Sequence, residues 1–265
     1  SGVWIMAYTT IDDPSAHFTT TLYTGNGSDA HSITNSANSG DFKPDWVWTK
    51  NRTGTARNHS IFDSSRGINK YLYTNASDTE ANVSSSLQSF DTNGFTVGTS
   101  TQVNPNGNSM VAWQWKANGG TTSSNSDGGI TSTVQANTTA GFSIVTYTGT
   151  GSATTVGHGL GATPKLVIVK ERANTNSWLV QSNLFSSSNF VTFLNRSDTG
   201  GENDSTTFNG TFPTSSVFSV GTHTGTNRSS GTYVAYCFAN IKGYSKIGSY
   251  TGNGSTDGTF VYTGF

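Results

Sequence analysis

The sequence predicts an all-β fold of tandem β-sandwich domains, of jelly-roll or immunoglobulin-like size, and three observations carry this prediction. Thr, Ser, Asn and Gly dominate the chain, with 31 Gly, whereas the helix-forming residues Glu, Leu and Lys are scarce. Aromatic residues make up 12% of the chain, which supplies the apolar mass that a core needs and that disordered chains lack. The third observation is that the chain repeats itself.

Four short signatures occur twice, in the same order and at nearly the same offset. One match is expected by chance in a chain rich in Gly and Thr, but four in register indicate two copies of one domain. The pairs begin at Tyr23 and Tyr147 (Tyr-Thr-Gly-x-Gly), Pro44 and Pro164 (Pro-x-x-Val-x-x-Lys-x-Arg), Phe95 and Phe218 (Phe-x-Val-Gly), and Val111 and Val234 (Val-Ala-aromatic).

These repeats predict the domain organisation. We expect a first β-sandwich repeat over residues 1–117 and a second over residues 130–248, joined by a linker at 118–129 that is rich in Gly, Ser, Thr and Asn. The first signature begins a third time at Tyr250. Residues 249–265 are therefore predicted to be the opening strand of a third repeat or a strand used in assembly.

The local pattern favours strands throughout. Residues 45–50 alternate, with Trp46 and Trp48 on one face, and Trp113 and Trp115 share a face further along the chain. We expect these four tryptophans in the core. Asn-Gly dipeptides punctuate the strands as turns, and no segment has the apolar stripe of a helix.

Composition excludes several functional classes. Charged residues are only 11% of the chain and the formal net charge is −1, so we expect no nucleic-acid binding. No run of about 18 apolar residues predicts insertion into a membrane. The single cysteine, Cys237, excludes an intrachain disulfide and is expected to be a small buried hydrophobe.

Enzyme signatures are missing from the sequence, so we expect the protein not to be an enzyme. There is no nucleophile elbow, zinc-protease motif or phosphate loop, and the five His lack the spacing of metal ligands. No cofactor is predicted. Calcium is the alternative, because Asp12, Asp13 and Asp127 lie in predicted loops, although no acidic pattern recurs between the repeats.

Carbohydrate binding is the ligand chemistry that the residues favour, since sugars stack on aromatic faces and bond to Asn, Asp and Arg. In the first repeat Tyr71 and Tyr73 follow Asp63 and Arg66, and the second repeat offers Trp178. These five residues are the candidate ligand-binding site. The alternatives are that the aromatic residues build the core and that Asp63 and Arg66 pair with each other at the surface.

Three stretches, residues 42–52, 61–67 and 89–98, resemble an uncharacterised repeat domain of tail-fibre-like and structural proteins of marine tailed phages, especially cyanophages. That domain is similar to laminin-G and concanavalin A-like sandwiches. The resemblance implies a lectin-like jelly roll and a virion or extracellular location. The second repeat departs from it, since residues 182–187 read Ser-Asn-Leu-Phe-Ser-Ser where the first repeat has Phe-Asp-Ser-Ser-Arg-Gly at 62–67.

Three functions follow as hypotheses. The first is a viral receptor-recognition module that binds host cell-surface carbohydrate, with multivalency from a homo-oligomer. The second is a purely structural fibre, filament or decoration repeat without a small ligand, in which a terminal strand pairs with another copy. The third, a polysaccharide-degrading enzyme, is disfavoured because it needs two carboxylates facing one cleft.

Overall fold

The computed structural model describes residues 9–35, 42–197 and 200–263. The all-β prediction is confirmed, because the strands pair antiparallel in four sheets, an arrangement consistent with a β-sandwich. The described helices are a 3-10 turn at Pro14–Ala16 and α1 at Thr224–Asn227. In the described ranges, no helix has the length or hydrophobicity of a membrane span.

The first repeat contains nine strands in two sheets. Its large sheet has the order β1-β9-β3-β4-β5-β6 and its small sheet the order β2-β8-β7 in the following numbering. The strands are β1 (Phe18–Thr24), β2 (His31–Thr34), β3 (Trp46–Asn51), β4 (Ser60–Asp63), β5 (Lys70–Tyr73), β6 (Ala81–Asn82), β7 (Leu87–Asp91), β8 (Gly94–Val97) and β9 (Ser109–Trp115).

The second repeat contains ten strands, β10 (Ser123–Asn125), β11 (Ser132–Asn137), β12 (Phe142–Thr148), β13 (Thr154–Gly157), β14 (Leu166–Glu171), β15 (Leu179–Ser182), β16 (Phe190–Phe193), β17 (Glu202–Asn203), β18 (Val217–Val220) and β19 (Thr232–Phe238). Its large sheet runs β10-β11-β12-β19-β14-β15-β16-β17, and β13 pairs with β18. From β12 onwards this order reproduces that of the first repeat. Strand β10 lies inside the stretch expected to be a linker and extends the large sheet instead.

Each large sheet buries its inner face against the small sheet of the same repeat. In the first repeat Val47 and Ala112 of the large sheet pack on Phe95 and Val97 of the small sheet. In the second repeat Val167 and Ala235 pack with Phe218 and Val220, and Cys237 lies in this core as expected. Burial raises the pKa of the Cys237 thiol to about 12, so this thiol is an inert packing group.

A third core joins the two repeats through the outer faces of their large sheets. At its centre Trp46, which is 2% exposed, packs with ring centroids 4.9 Å from Tyr236 and 5.5 Å from Phe142. The molecule is therefore a stack of four layers, with the two large sheets in the middle. The buried members of this core in the described part of the chain are Trp46, Ile61, Leu72, Ala117, Phe142, Ile144, Ile168, Trp178, Val180, Val234 and Tyr236.

The Tyr-Thr-Gly signature has the same structural role in both repeats. The Tyr23 hydroxyl donates to the carbonyl of Val103 at 2.6 Å, and the Tyr147 hydroxyl donates to the carbonyl of Thr226 at 2.7 Å. Each tyrosine thus ties its strand, β1 or β12, to the segment that precedes the strand paired with it, β9 or β19. Burial raises the pKa of both hydroxyls, which keeps them protonated as donors.

The residue after each of these carbonyls is an asparagine that holds the signature's turn. The Asn104 side chain accepts from the main-chain N–H of Asn26 at 2.8 Å, and the Asn227 side chain accepts from that of Thr150 at 2.7 Å. The glycine before each turn leaves no room for a side chain. A Cβ at Gly25 would lie 2.1 Å from the carbonyl oxygen of Pro105.

The third occurrence of the signature lacks such a setting in this chain. Tyr250 is 70% exposed, residues 249–263 contain no strand, and a Cβ at Gly252 would have no atom within 4 Å. The role of residues 249–265 in a third repeat or in assembly stays a prediction. The last residue of that segment, Phe265, lies outside the described residues.

We expect Gly25→Ala to lower the free energy of unfolding by about 1–3 kcal/mol, because the added methyl group overlaps main-chain atoms of Pro105. Denaturant unfolding followed by tryptophan fluorescence measures this. The matched control is Gly252→Ala, which changes the same signature where nothing surrounds it and should leave stability unchanged. Equal effects of the two substitutions would refute the packing argument.

Candidate functional site

Two of the predicted ligand residues, Asp63 and Arg66, are paired inside the protein. The guanidinium Nε of Arg66 donates to Asp63 Oδ2, its main-chain N–H donates to Asp63 Oδ1 at 2.8 Å, and neither side chain is exposed. The hydroxyl of Tyr236, from the second repeat, donates to Asp63 Oδ2 at 2.7 Å. The pair was considered as a surface contact, but it lies buried at the contact between the repeats.

Arg66 also pairs with Glu80, and Glu80 pairs in turn with an arginine of the second repeat. Arg66 Nη1 lies 2.9 Å from Glu80 Oε2, and Arg172 of the second repeat reaches the same carboxylate at 2.8 and 3.0 Å. Burial alone would raise the pKa of Glu80, but the hydrogen bonds and positive charges of Arg172 and Arg66 lower it. Glu80 is thus held as an anion between the two arginines.

Serine residues of the same loop bind the second repeat through Gln135. The Gln135 amide nitrogen donates to Ser65 Oγ at 2.9 Å, and its oxygen accepts from the main-chain N–H of Gly120 at 2.8 Å. Asp45 accepts from Ser64 Oγ at 2.9 Å and from the N–H of Gly119 at 2.8 Å. The Asp-Ser-Ser-Arg sequence of the first repeat therefore binds the second repeat.

Trp178 of the second repeat also lies at this contact. Its side chain is fully buried and its indole N–H donates to the carbonyl of Tyr73 at 2.8 Å. Nearby, the Lys170 ammonium donates to the carbonyl of Ser77 at 3.2 Å. Burial lowers the pKa of Lys170 to about 8, despite the opposing charges of Glu171 and Asp78.

The five predicted ligand residues do not form one open site. Asp63, Arg66 and Trp178 have no exposed side-chain surface on which a sugar can stack or bond, because all three lie at the contact between the repeats. Tyr71 and Tyr73 are half-buried, and Tyr71 packs 5.8 Å from Phe62 in the core of the first repeat. The Tyr73 hydroxyl donates to that of Tyr71 at 3.3 Å, so the pair mainly builds the sheet.

An open aromatic cleft lies elsewhere, on the part of the large sheet of the first repeat that the second repeat leaves uncovered. It has a volume of about 230 Å³ and is lined by Trp48, His59, Trp113 and Trp115. Trp48 and Trp113 are directly opposite each other on β3 and β9, with centroids 5.9 Å apart and rings edge to face. Of the four tryptophans predicted in the core, Trp46 is fully buried, whereas these three are half-buried.

His59 is fixed at the edge of this aromatic cleft. The Trp48 indole N–H donates to His59 Nδ1 at 3.1 Å, which requires that nitrogen to be unprotonated and leaves Nε2 as the N–H donor of a neutral ring. Burial and then the positive charge of Lys50 lower the pKa of His59, in agreement with a neutral imidazole. The cleft therefore combines indole faces with a ring N–H donor.

The second repeat buries the positions that correspond to the cleft. Strand registers place Ile168 and Tyr236 where the first repeat has Trp48 and Trp113, and both are covered by the first repeat. The sequence signal for the cleft was a tryptophan pair at positions where the second copy has Ile and Tyr. Sequence reasoning missed it because these tryptophans were all assigned to the core.

The family comparison treats both repeats as one unit. A family model described as a domain of unknown function, DUF7483, matches residues 13–265. The chain belongs to the DUF7483 family. No curated protein and no solved structure matches the chain significantly. The match covers both repeats and the segment after them, so the residues on both sides of the contact between the repeats lie within the matched region.

The loop aspartates considered as calcium ligands in this DUF7483 chain take part in turns. The Asp13 side chain accepts from the N–H of Ser15 at 3.0 Å, and Asp127 accepts from the Asn125 amide at 2.9 Å. Over the described ranges, no group of three or more His, Cys, Asp or Glu side chains lies together. Calcium binding by the DUF7483 chain stays an untested alternative.

We expect Glu80→Gln to lower the free energy of unfolding of the DUF7483 chain by about 1–3 kcal/mol at pH 7, because Arg66 and Arg172 lose a shared anion. The Glu80 side chain is 13% exposed. The matched control is Glu202→Gln, whose carboxylate is 54% exposed in its pair with Arg196 and should contribute less than about 1 kcal/mol. Urea unfolding of both variants tests this, and a larger loss in the control would contradict it.

The same pair gives a pH dependence. Because the pKa of Glu80 is lowered in the folded state, its stabilisation is present above the unfolded pKa of about 4.3 and is lost as pH falls through the folded pKa. The stability difference between the wild type and Glu80→Gln should therefore shrink as the pH falls from 7 to 3. Urea unfolding at a series of pH values measures it, and a constant difference would show that Glu80 does not act through its charge.

Proposed function

We propose that this chain is a structural protein of a tail-fibre-type virion appendage and that its first repeat binds host surface carbohydrate. The observation that supports binding is the aromatic cleft of Trp48, His59, Trp113 and Trp115, which stays open when the repeats pack together. In this proposal each repeat is a lectin-like jelly roll. The viral and extracellular setting rests on the resemblance of residues 42–52, 61–67 and 89–98 to phage fibre repeats.

The chemistry of the cleft suits a sugar. Indole faces stack on the C–H faces of a pyranose ring, and the N–H of His59 donates to a ring or hydroxyl oxygen. The tryptophans lie on β3 and β9, which are interior strands of the large sheet. A preformed aromatic surface loses little conformational entropy on binding, which favours affinity for a weakly held ligand.

The proposal is non-enzymatic, and the positions of the acids in the second repeat support this. Glu171 is buried and accepts from Arg228 Nε at 2.9 Å, and Glu202 pairs with Arg196 at 2.6 Å. Each carboxylate is engaged in an ion pair within the repeat. Neither lines the aromatic cleft in which we place the sugar.

A purely structural role is the second candidate, and the inter-repeat contact favours it. The two large sheets bury an aromatic core between them, and the Asp63–Arg66 and Glu80–Arg172 ion pairs lie beside it. Such a contact resists bending between the repeats, as a fibre or decoration protein requires. In this role the tryptophans of the cleft would be covered by another copy of the chain.

We expect Trp113→Ala to weaken glycan binding at least about tenfold, because the stacking surface is removed. A glycan array identifies the ligand and titration calorimetry measures the affinity. Near-ultraviolet circular dichroism confirms that the variant is folded. The control is Phe260→Ala, which removes an aromatic ring that is 87% exposed outside the cleft and should leave binding unchanged.

Two outcomes would overturn the proposal. If the wild type binds no glycan on the array, the carbohydrate function is wrong and the structural role is preferred. If light scattering then shows that the wild type self-associates and Trp113→Ala stays monomeric, the cleft is a contact between copies.

A further inference from the structure

We propose that the ligand of the aromatic cleft is an anionic glycan, bearing carboxylate or sulfate groups, and that Lys50 binds its charge. This rests on the proposed carbohydrate function and goes further by naming the class of glycan. The inference follows from where Lys50 lies, from the charges that surround the cleft and from the hydrogen-bonding groups that the cleft offers.

Lys50 lies beside the tryptophans on the same face of the sheet. It is two residues after Trp48 on β3, so the two side chains point the same way, and it is paired with Val111 on β9. Its ammonium donates to the carbonyl of Arg57 in the loop between β3 and β4. This bond holds the cation at the rim of the cleft and leaves two of its three N–H donors for a ligand.

The charge of Lys50 acts on the cleft itself. After burial, the positive charge of Lys50 is the second cause of the lowered pKa of His59, a residue that lines the cleft. Continuing the antiparallel register of β3 and β4 by one position beyond Thr49 and Ser60 also sets Lys50 opposite His59. The same positive potential attracts an anion that stacks on Trp48 or Trp113.

Among the described strand residues on the uncovered part of the sheet, no carboxylate lies beside Lys50. The outward positions of β1, β3 and β9 there are Thr20, Leu22, Trp48, Lys50, Val111 and Trp113. On this face of β4 the acid is Asp63, which is buried beneath the second repeat and paired with Arg66. Lys50 is therefore the charged residue among these outward strand positions, and its charge is positive.

The hydrogen-bonding groups of the cleft also favour an acidic sugar. A neutral sugar presents hydroxyl groups that need acceptors as well as donors, and carboxylates are the strongest acceptors in proteins. The cleft and its surroundings provide the opposite, since His59 in the lining contributes an N–H and Lys50, beside the lining, an ammonium. Carboxylate and sulfate oxygens accept only, so the charged group of an anionic glycan matches these donors.

The corresponding lysine in the second repeat shows what burial does to the same position. Lys170 occupies the Lys position of the Pro-x-x-Val-x-x-Lys-x-Arg signature, but the first repeat covers it and Ser77 accepts its N–H at 3.2 Å. Lys170 therefore serves the inter-repeat contact, whereas Lys50 stays half-buried at an open cleft. The signature does not by itself mark a ligand site.

The test uses the full chain on a glycan array that carries each carboxylated or sulfated glycan beside its uncharged parent. We expect the wild type to bind at least one charged form about tenfold more tightly than its parent, with binding that weakens as salt rises. Lys50→Met should remove that preference and Lys50→Arg should keep it. Lys246→Met, which removes an exposed lysine outside the cleft lining, should change nothing.

The outcomes separate this inference from the proposed function. If the wild type binds uncharged parents as tightly as charged forms, and Lys50→Met has no effect while Trp113→Ala abolishes binding, the cleft binds sugars but the anionic class is wrong. If Lys246→Met reduces binding as much as Lys50→Met, the preference is a general charge effect and the assignment to Lys50 is wrong. If no glycan of either kind binds, the proposed function fails first.

Discussion

The packing of the two large sheets against each other is the interaction on which the rest of the structure depends. Trp46 lies at its centre, between Phe142 and Tyr236 of the second repeat. Around this apolar core, Asp63, Arg66 and Glu80 are withdrawn from water, which is tolerable only because each charge has a partner and further hydrogen bonds. The two repeats, each with a core between its own sheets, thereby share a third core.

This packing also decides which residues remain available to a ligand. The outer face of the first repeat's large sheet is longer than the contact that the second repeat makes with it. Trp46 is covered, whereas Trp48 and Trp113 on the same face stay partly open. In the second repeat Ile168 and Tyr236, which occupy the positions of Trp48 and Trp113, are buried. One part of this sheet face therefore packs against the second repeat, and the adjacent part forms the cleft of the proposed binding.

The residues that resembled a ligand site illustrate why sequence alone misplaced it. Asp63, Arg66 and Trp178 combine charge with aromatic character, as sugar sites do, yet they bind the neighbouring repeat. The second repeat lacks the Asp-Ser-Ser-Arg sequence, and that difference was the available signal that the motif depends on a partner. Nothing in the alternation of a strand distinguishes an outward residue that meets water from one that meets another domain.

The sequence by itself determined the all-β class, the alternation of the central strands and many of the turns, because these follow from a period of two and from Asn-Gly dipeptides. It also determined that Trp46 and Cys237 are buried. It did not determine which face of each large sheet is the inner one, since the faces that carry the tryptophans lie outward and Val47 and Ala112 point inward. Only the tertiary structure decided that the repeats share an aromatic core, that Ser123–Asn125 is a strand and that the open cleft is formed by Trp48, His59, Trp113 and Trp115. These features depend on how the two large sheets are placed against each other. That placement is set by contacts between residues far apart in the chain.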